Sequence, residues 1–256
     1  MIRPSAKVLA FTSGSKGGVG KSTIAANVAA IIDAPVALVD LGFDGNSTAS
    51  KLHGIDDNDD GILNYLATGA KLKIYESKEH KNVSIIPPGD LDYRYFLLFS
   101  TNRYAVAARF ERLIIDLSRN GVKLVLVDFP ANMDKSIHHA LIAFSDIVNL
   151  IMEPSESSID SLTKLYKEVM GFYDGYGVIN TIVNMVAVDN DPLADYSRKY
   201  VNNGETMRIP FDHYARYYTN NGVLAIHYKT GGFTPAITGV AKQISKQAEQ
   251  LMGVRL

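Results

Sequence analysis

The stretch Gly14-Ser15-Lys16-Gly17-Gly18-Val19-Gly20-Lys21-Ser22-Thr23 constrains the fold of this chain more than any other. The apolar segment Val8-Leu9-Ala10-Phe11 precedes it, and Ile24-Ala25-Ala26-Asn27-Val28-Ala29-Ala30 follows. Strand, glycine-rich turn and helix start, in that order, form the setting that a phosphate-binding loop requires. Glycines let the backbone turn tightly and aim several N–H groups inward, and the helix N-terminus adds partial positive charge. The pattern departs from GxxxxGK(S/T), because Ser15 stands where the first glycine belongs. It fits KGGxGK(S/T), with a second lysine, Lys16, at its head. At average amino-acid usage such a string arises on the order of once per ten million positions, so an incidental flexible turn is a poor explanation and nucleotide binding a good one.

The 256 residues, 46% of them hydrophobic, with mean hydropathy at zero, describe a soluble globular protein, and we expect one α/β domain over residues 1–256. No apolar run approaches the roughly 20 residues of a membrane span, and residues 1–7 lead into the first strand without a signal-peptide core. The expectation is therefore a cytoplasmic protein without integral membrane association. Its net charge of -1 makes no whole-chain case for nucleic acid, so such binding would need a local patch. Cysteine is absent, which excludes disulfides and thiolate-held iron–sulfur clusters.

Along the chain, residues 21–32 read as a helix, and Pro35 introduces Val36-Ala37-Leu38-Val39-Asp40, an apolar run ending in a carboxylate, as buried parallel strands do. The loop that follows, residues 41–50, lies at the carboxyl end of that strand, where ligands bind in open α/β sheets. Asp56-Asp57-Asn58-Asp59-Asp60 lacks the spacing of an EF-hand loop and reads as an exposed acidic loop before a helix. Residues 82–86 suggest a short strand closed by Pro87-Pro88-Gly89. Val106, Phe110, Leu113, Ile114 and Leu117 recur at helical spacing and predict a helix over 102–119. Val122-Lys123-Leu124-Val125-Leu126-Val127-Asp128 is a second apolar strand ending in aspartate.

Further strands are expected at 147–152 and 178–184, with a helix over 159–172. In Tyr214-Ala215-Arg216-Tyr217-Tyr218 a cation lies among aromatics; a helix packing its tyrosine bodies is the simpler reading, a nucleic-acid or partner surface the other. Thr234-Pro235 marks a helix start, with threonine as cap and proline at the first position, and Ile237, Val240, Ala241, Ile244, Ala248 and Leu251 form its core-facing stripe. Strands alternate with helices from end to end. The fold class is α/β: a doubly wound, mostly parallel sheet with helices on both faces.

The loop resembles the deviant Walker A motif of the ParA/MinD superfamily of P-loop ATPases, and ParA-like partition ATPases in particular. The resemblance covers nearly the whole chain and is most specific at the loop. Asp40, Gly45, Asn46 and Thr48 match the family's switch I, D-x-D-P-Q-G-N-x-T, but Gly42 stands in place of its second aspartate. Asp128 resembles a Walker B carboxylate, and Phe129-Pro130-Ala131-Asn132 a switch II with one of two prolines kept. Asn184, at a strand end, is similar to the family's adenine-reading asparagine, its amide offering both donor and acceptor, though a turn-former is the bland alternative. Ile209-Pro210 matches a segment whose backbone lies along the base.

The resemblance implies ATP and Mg2+. Lys21 would reach the β- and γ-phosphates, Ser22 would ligate Mg2+, and Thr23 with the backbone of Gly17, Gly18, Val19 and Gly20 would hold the other phosphates. Asp40 and Asp128 would organise the metal and the attacking water, with Asp44 a substitute for the aspartate missing at Gly42. Lys16 would cross to the phosphates of a second subunit, since nothing in the local sequence explains it within the monomer. The implied function is a slow ATPase that dimerises with ATP, binds DNA without sequence preference, associates with the nucleoid in that state, and partitions DNA or positions cargo. A small DNA-binding, ParB-like adaptor would supply any site recognition, since no such module precedes the loop. Arg198, Lys199, Arg208, Arg216 and Lys229 are the DNA candidates, against a solvated face neutralised by neighbouring aspartates. The alternatives are a MinD-like membrane-cycling switch, for which only residues 252–256 follow the last stripe, and a metabolic or assembly ATPase of the same superfamily.

Overall fold

The computed structural model describes residues 5–42, 47–56, 61–89, 99–131, 133–173, 177–228 and 231–253. Strand β1 (Lys7–Thr12) ends at the glycine loop, and helix α1 (Lys21–Ile31) leaves it. Then come β2 (Val36–Asp40), α2 (Thr48–Leu52), α3 (Ile62–Thr68), β3 (Tyr75–Glu76) and β4 (Val83–Ile86). The middle of the chain holds α4 (Arg103–Arg119), β5 (Leu124–Asp128), α5 (Lys135–Ile142), β6 (Ile147–Met152), α6 (Glu156–Tyr173) and β7 (Val178–Val186). The last third comprises α7 (Pro192–Tyr196), β8 (Thr206–Pro210), α8 (His213–Asn220) and α9 (Phe233–Met252), with 3₁₀ turns at Ser197–Lys199 and Ala225–His227.

The strands form one sheet in the order β3-β4-β2-β5-β1-β6-β7-β8. All its pairings are parallel except β3 with β4 at one edge. Every residue of β2, β5 and β6 is buried, which is why these segments read as mostly apolar runs instead of alternating ones, Asp40, Asp128 and Asn149 being the polar members. Helices cover both faces. Val106, Phe110 and Leu113 of α4, Leu141 of α5 and Leu165 of α6 belong to one core, and Ile24 and Val28 of α1 with Ile237 and Ile244 of α9 to the other. This is an α/β P-loop NTPase fold with a mixed, mostly parallel sheet, and the carboxyl ends of β1, β2 and β5 lie side by side.

Three expectations about the C-terminal third are corrected. Helix α9 starts at Phe233, with Gly232 before it, because the Asp212 carboxylate accepts from the N–H groups of Gly232 and Phe233, both at 3.3 Å. Thr234 is therefore no cap, and its hydroxyl donates to the Tyr228 carbonyl at 3.0 Å. Leu251 is 40% exposed, so the core stripe ends at Ala248. In α8 only Ala215 is buried; Tyr214 and Tyr217 are exposed, while Tyr218 stacks flat on Tyr228 with centroids 3.6 Å apart. The tyrosines of this helix thus do not pack as a core face.

Candidate functional site

The loop between β1 and α1 turns on three glycines in the left-handed region, Gly14, Gly18 and Gly20, with φ of 61°, 77° and 89°. Val19 between them is buried and pins the loop to the core, whereas Gly17 and Gly18 are exposed. The Val19 carbonyl accepts from Asn184 Nδ2 at 2.9 Å. Asn184 reaches it because β7 carries one extra residue there: Val183 pairs with Arg208 and Val186 with Pro210, and Met185 between them has φ of 58°. A bulge of this kind re-aims a side chain, and a non-glycine residue at such a φ marks strain kept at a functional position. Asn184 therefore braces the loop as well as lining the cleft beside it.

That cleft has a volume of about 500 Å³. Gly18, Gly20, Lys21, Ser22 and Thr23 line it together with Asn184, Met185, Pro210 and Phe211. Ala215, Arg216, Thr219 and Phe233 line it as well, and the sequence alone did not assign these to the nucleotide. The missed signal is positional. The α8 segment follows directly on Pro210, so a chain whose Pro210 flanks the ligand must bring α8 there too.

Beneath the loop the sheet brings two carboxylates together. Asp40 and Asp128 are register partners at the tips of β2 and β5. Asp40 is fully buried and accepts from the N–H of Gly42 at 3.0 Å and from the N–H and hydroxyl of Ser50, each at 2.9 Å. Its oxygens thus tie the start of the switch I loop to α2, whose first residue, Thr48, lines the cleft. Burial still holds the Asp40 carboxyl above the usual carboxylate range, against those hydrogen bonds. Asp128 is raised to about 7, first by burial and then by the Asp40 charge; the Ser22 hydroxyl and Lys21 act in the opposite sense. Among the described residues, Asp128 Oδ1 is buried without a hydrogen-bond partner. Lys21 is itself buried, which lowers its pKa, with Asp128 opposing.

Two carboxylates share this site with one ammonium, would carry an excess of negative charge once both are ionised, and leave one oxygen with no donor among the described residues. Such a set, with the Ser22 hydroxyl beside it, fits an oxygen-ligated divalent cation such as Mg2+. Asp44, Gly45 and Asn46 lie outside the described residues, as do Asn132 and Lys229.

Lys16 is not solitary in its own chain, contrary to expectation. Its ammonium donates to Ser157 Oγ at 2.9 Å and pairs with Glu153 Oε1 at 3.4 Å, while its carbonyl faces Lys21 Nζ at 3.4 Å. Glu153 follows β6 and Ser157 stands in the first turn of α6, too far along the chain for local sequence to disclose. The basic residues proposed for DNA do not form one free patch. Arg198 and Arg208 both pair with Asp195, at 3.2 and 2.5 Å, Lys199 lies 3.9 Å over the Tyr196 ring, and Arg216 faces the cleft.

Residues 10–217 match the family model of the CobQ/CobB/MinD/ParA nucleotide binding domain. The uncharacterized ATP-binding protein MJ0410 of Methanocaldococcus jannaschii is 30% identical over 238 residues, covering 90% of this chain and 83% of the relative. Among solved structures, the septum site-determining protein MinD of Pyrococcus horikoshii, complexed with Mg-ADP, superposes with a TM-score of 0.75 at 24% identity, over 95% of this chain and 97% of that one. A ParA family ATPase from Chlorobium tepidum gives a TM-score of 0.72 at 19% identity, over 94% and 99%. At these identities the two structures establish the fold.

Proposed function

Because the chain belongs to the CobQ/CobB/MinD/ParA nucleotide-binding family, we propose that its P-loop ATPase domain works as an ATP-dependent dimerisation switch of the partitioning or positioning class, cycling on duplex DNA. The observation that carries this reading is Lys16: a second lysine at the head of the loop, whose ammonium rests on Glu153 and Ser157 and leaves the phosphate cradle to Lys21. This half-buried pair is single and 3.4 Å long, still partly open to solvent, so Lys16 can leave it when a second subunit presents its nucleotide.

In this reading Lys21 contacts the β- and γ-phosphates, and the amides of residues 17–23 cradle them together with the Thr23 hydroxyl. Ser22 and Asp128 would hold Mg2+, which when bound neutralises charge on the phosphate oxygens. Asp40 positions α2 and the Gly42 backbone instead of meeting the metal, because its oxygens already accept from Gly42 and Ser50. Asn184 and the segment from Pro210 flank the base. Lys16 of each subunit reaches the other's phosphates and stabilises the charge that develops as water attacks the γ-phosphorus and the bond to ADP breaks. Gly42 offers no carboxylate to orient that water, which makes turnover slow and the ATP-bound dimer long-lived.

DNA is the surface we favour because relatives of matching fold include a plasmid partition protein and a ParA family ATPase. The pairing of Arg198 and Arg208 with Asp195 means that a monomer binds weakly and that the doubled surface of the dimer is required. A small ParB-like adaptor would then supply site recognition. Lys16→Ala should keep ATP binding and lose ATP-dependent dimerisation in light scattering; equal dimer formation by the variant refutes the switch. Gel shifts on unrelated duplexes should need ATP and fall with salt at a log–log slope of about -0.9 per phosphate neutralised. Co-sedimentation with liposomes in place of DNA would move the reading to a membrane-cycling switch.

A further inference from the structure

Next to segments that hydrogen-bond to α1, three Lewis bases from two distant parts of the chain converge. Glu79 and His80 stand in the turn between β3 and β4, and His227 ends the 3₁₀ turn after α8. One carboxylate oxygen and one ring nitrogen from each histidine lie within 4.8 Å of one another. The two Nε2 atoms are 3.4 Å apart, and His227 Nε2 is 2.5 Å from Glu79 Oε2. The rings of His80 and His227 stack with centroids 5.2 Å apart.

Neutral imidazoles cannot satisfy both contacts at once. If His227 donates to Glu79, its Nε2 has no lone pair left for His80; if His80 donates to His227, the latter meets the carboxylate lone pair to lone pair. A cation satisfies all three donors together. In a tetrahedral site with bonds of about 2.0–2.1 Å, ligand atoms lie about 3.3–3.4 Å apart. The pair of Nε2 atoms already has that separation, and Glu79, with a side chain 60% exposed, needs to withdraw by under about 1 Å.

Both halves of the cluster are held on consecutive residues of α1. His53 Nε2 donates to the Ala26 carbonyl at 3.1 Å, leaving Nδ1 to accept from the Ser77 hydroxyl at 2.9 Å, and Ser77 Oγ accepts from the backbone N–H of His80 at 3.3 Å. On the other side, Asn27 Oδ1 accepts from the Ile226 N–H at 3.1 Å, next to His227. Ligands fixed through supporting hydrogen bonds on a rigid element are what a metal site requires.

We propose that Glu79, His80 and His227 form a zinc-class divalent-metal site beside α1, with three protein ligands and a fourth position left to water. Two imidazoles and a carboxylate suit Zn2+ and its borderline neighbours, not Mg2+. The site is separate from the nucleotide cleft and independent of the proposed switch.

The test uses tag-free, full-length protein without nucleotide. Calorimetric titration with Zn2+ should find an ion bound at this site, and Co2+ in its place should give the intense visible bands of a four-coordinate centre. His80→Ala and His227→Ala should each weaken binding by at least about 100-fold, the upper range for losing even an outer-shell partner. Glu79→Gln, at an exposed position that cannot threaten folding, should weaken it as well and abolish the zinc-induced rise in melting temperature. His139→Ala, at the other histidine–carboxylate contact, should change nothing. Undiminished Zn2+ affinity in the His80→Ala/His227→Ala double variant, or a six-coordinate Co2+ spectrum in the wild type, overturns the proposal.

Discussion

Replacing Gly20 by alanine tests how the loop is held. Gly20 has φ of 89°, and a Cβ there would lie 2.3 Å from Asn184 Nδ2, a separation no real structure tolerates. The obstacle is a short, buried side chain already bonded to the Val19 carbonyl, so it cannot simply swing aside. The left-handed backbone costs about 1–2 kcal/mol for alanine. Displacing Asn184 leaves a buried carbonyl unsatisfied, for about 1–3 kcal/mol more. Gly20→Ala should therefore destabilise by about 2–5 kcal/mol, a fall in Tm of about 5–20 °C at this chain length. Asn184→Ala alone should cost about 1–3 kcal/mol. The double variant removes the obstacle, so its loss should be smaller than the sum of the two by about 1–3 kcal/mol. Urea unfolding of the four proteins without nucleotide measures this cycle, and ATP titrations on the same samples should show the loop amides misdirected in Gly20→Ala. Additivity within about 0.5 kcal/mol would mean that Asn184 does not brace the loop.

Gly42→Asp should raise ATP turnover by roughly 10–100-fold in a phosphate-release assay, because it restores a water-orienting carboxylate; an unchanged rate would mean that the water is held elsewhere. His138 is buried, with Nε2 3.1 Å from the Thr12 hydroxyl, and burial lowers its pKa to about 4. Its folded value lies below the ordinary 6.5, so its contribution is complete above pH 6.5 and is lost as pH falls through about 4, amounting to about 3 kcal/mol. His53, also lowered to about 4 by burial, adds a similar slope. His138→Gln should flatten the fall in stability that denaturant melts show as pH drops from 6.5 toward 4; an unchanged slope would refute the assignment. Arg216→Ala should weaken ATP binding by about 10–100-fold, the worth of a hydrogen bond to a charged group. If it weakens DNA binding and leaves ATP untouched, Arg216 belongs to the nucleic-acid surface after all.

The strand–loop–helix core was legible because each of its determinants is local. The runs at 36–40 and 147–152 are buried at every position and apolar apart from Asp40 and Asn149, so their extent could be read from composition alone. The aspartates closing β2 and β5 were visible for the same reason. What escaped depends on groups remote in sequence. The start of α9 is moved by Asp212, some 20 residues earlier, whose two oxygens serve α8 and α9 at once. The partners of Lys16 lie beyond β6. Asn184 looked like a strand terminator, and only the bulge at Met185 turns it onto the loop. Tyr214 and Tyr217 misled because an aromatic helix face is ordinarily a packed one, and here they stay exposed.

The chemistry of the cleft follows from a charge mismatch that neither a nucleotide nor a metal relieves alone. Asp40 and Asp128 outnumber Lys21 beneath the loop, and among the described residues Asp128 Oδ1 faces no donor, so this half of the site calls for a cation. Above it the start of α1, with no acidic residue in its first turn, and the ammonium of Lys21 call for an anion. ATP without metal meets the loop but brings its phosphates toward Asp128. A divalent ion without nucleotide meets Asp128 but faces Lys21. Each ligand therefore strengthens the other, and by linkage the effect is reciprocal. Because Asp40 spends its oxygens on Gly42 and Ser50, the same charge pair also reports on α2 and on Thr48 at the cleft. Neutralising Asp128 relieves the repulsion on Asp40, which ties filling of the cleft to the placement of the switch I backbone, the element whose missing carboxylate at Gly42 sets the slow pace of the proposed cycle.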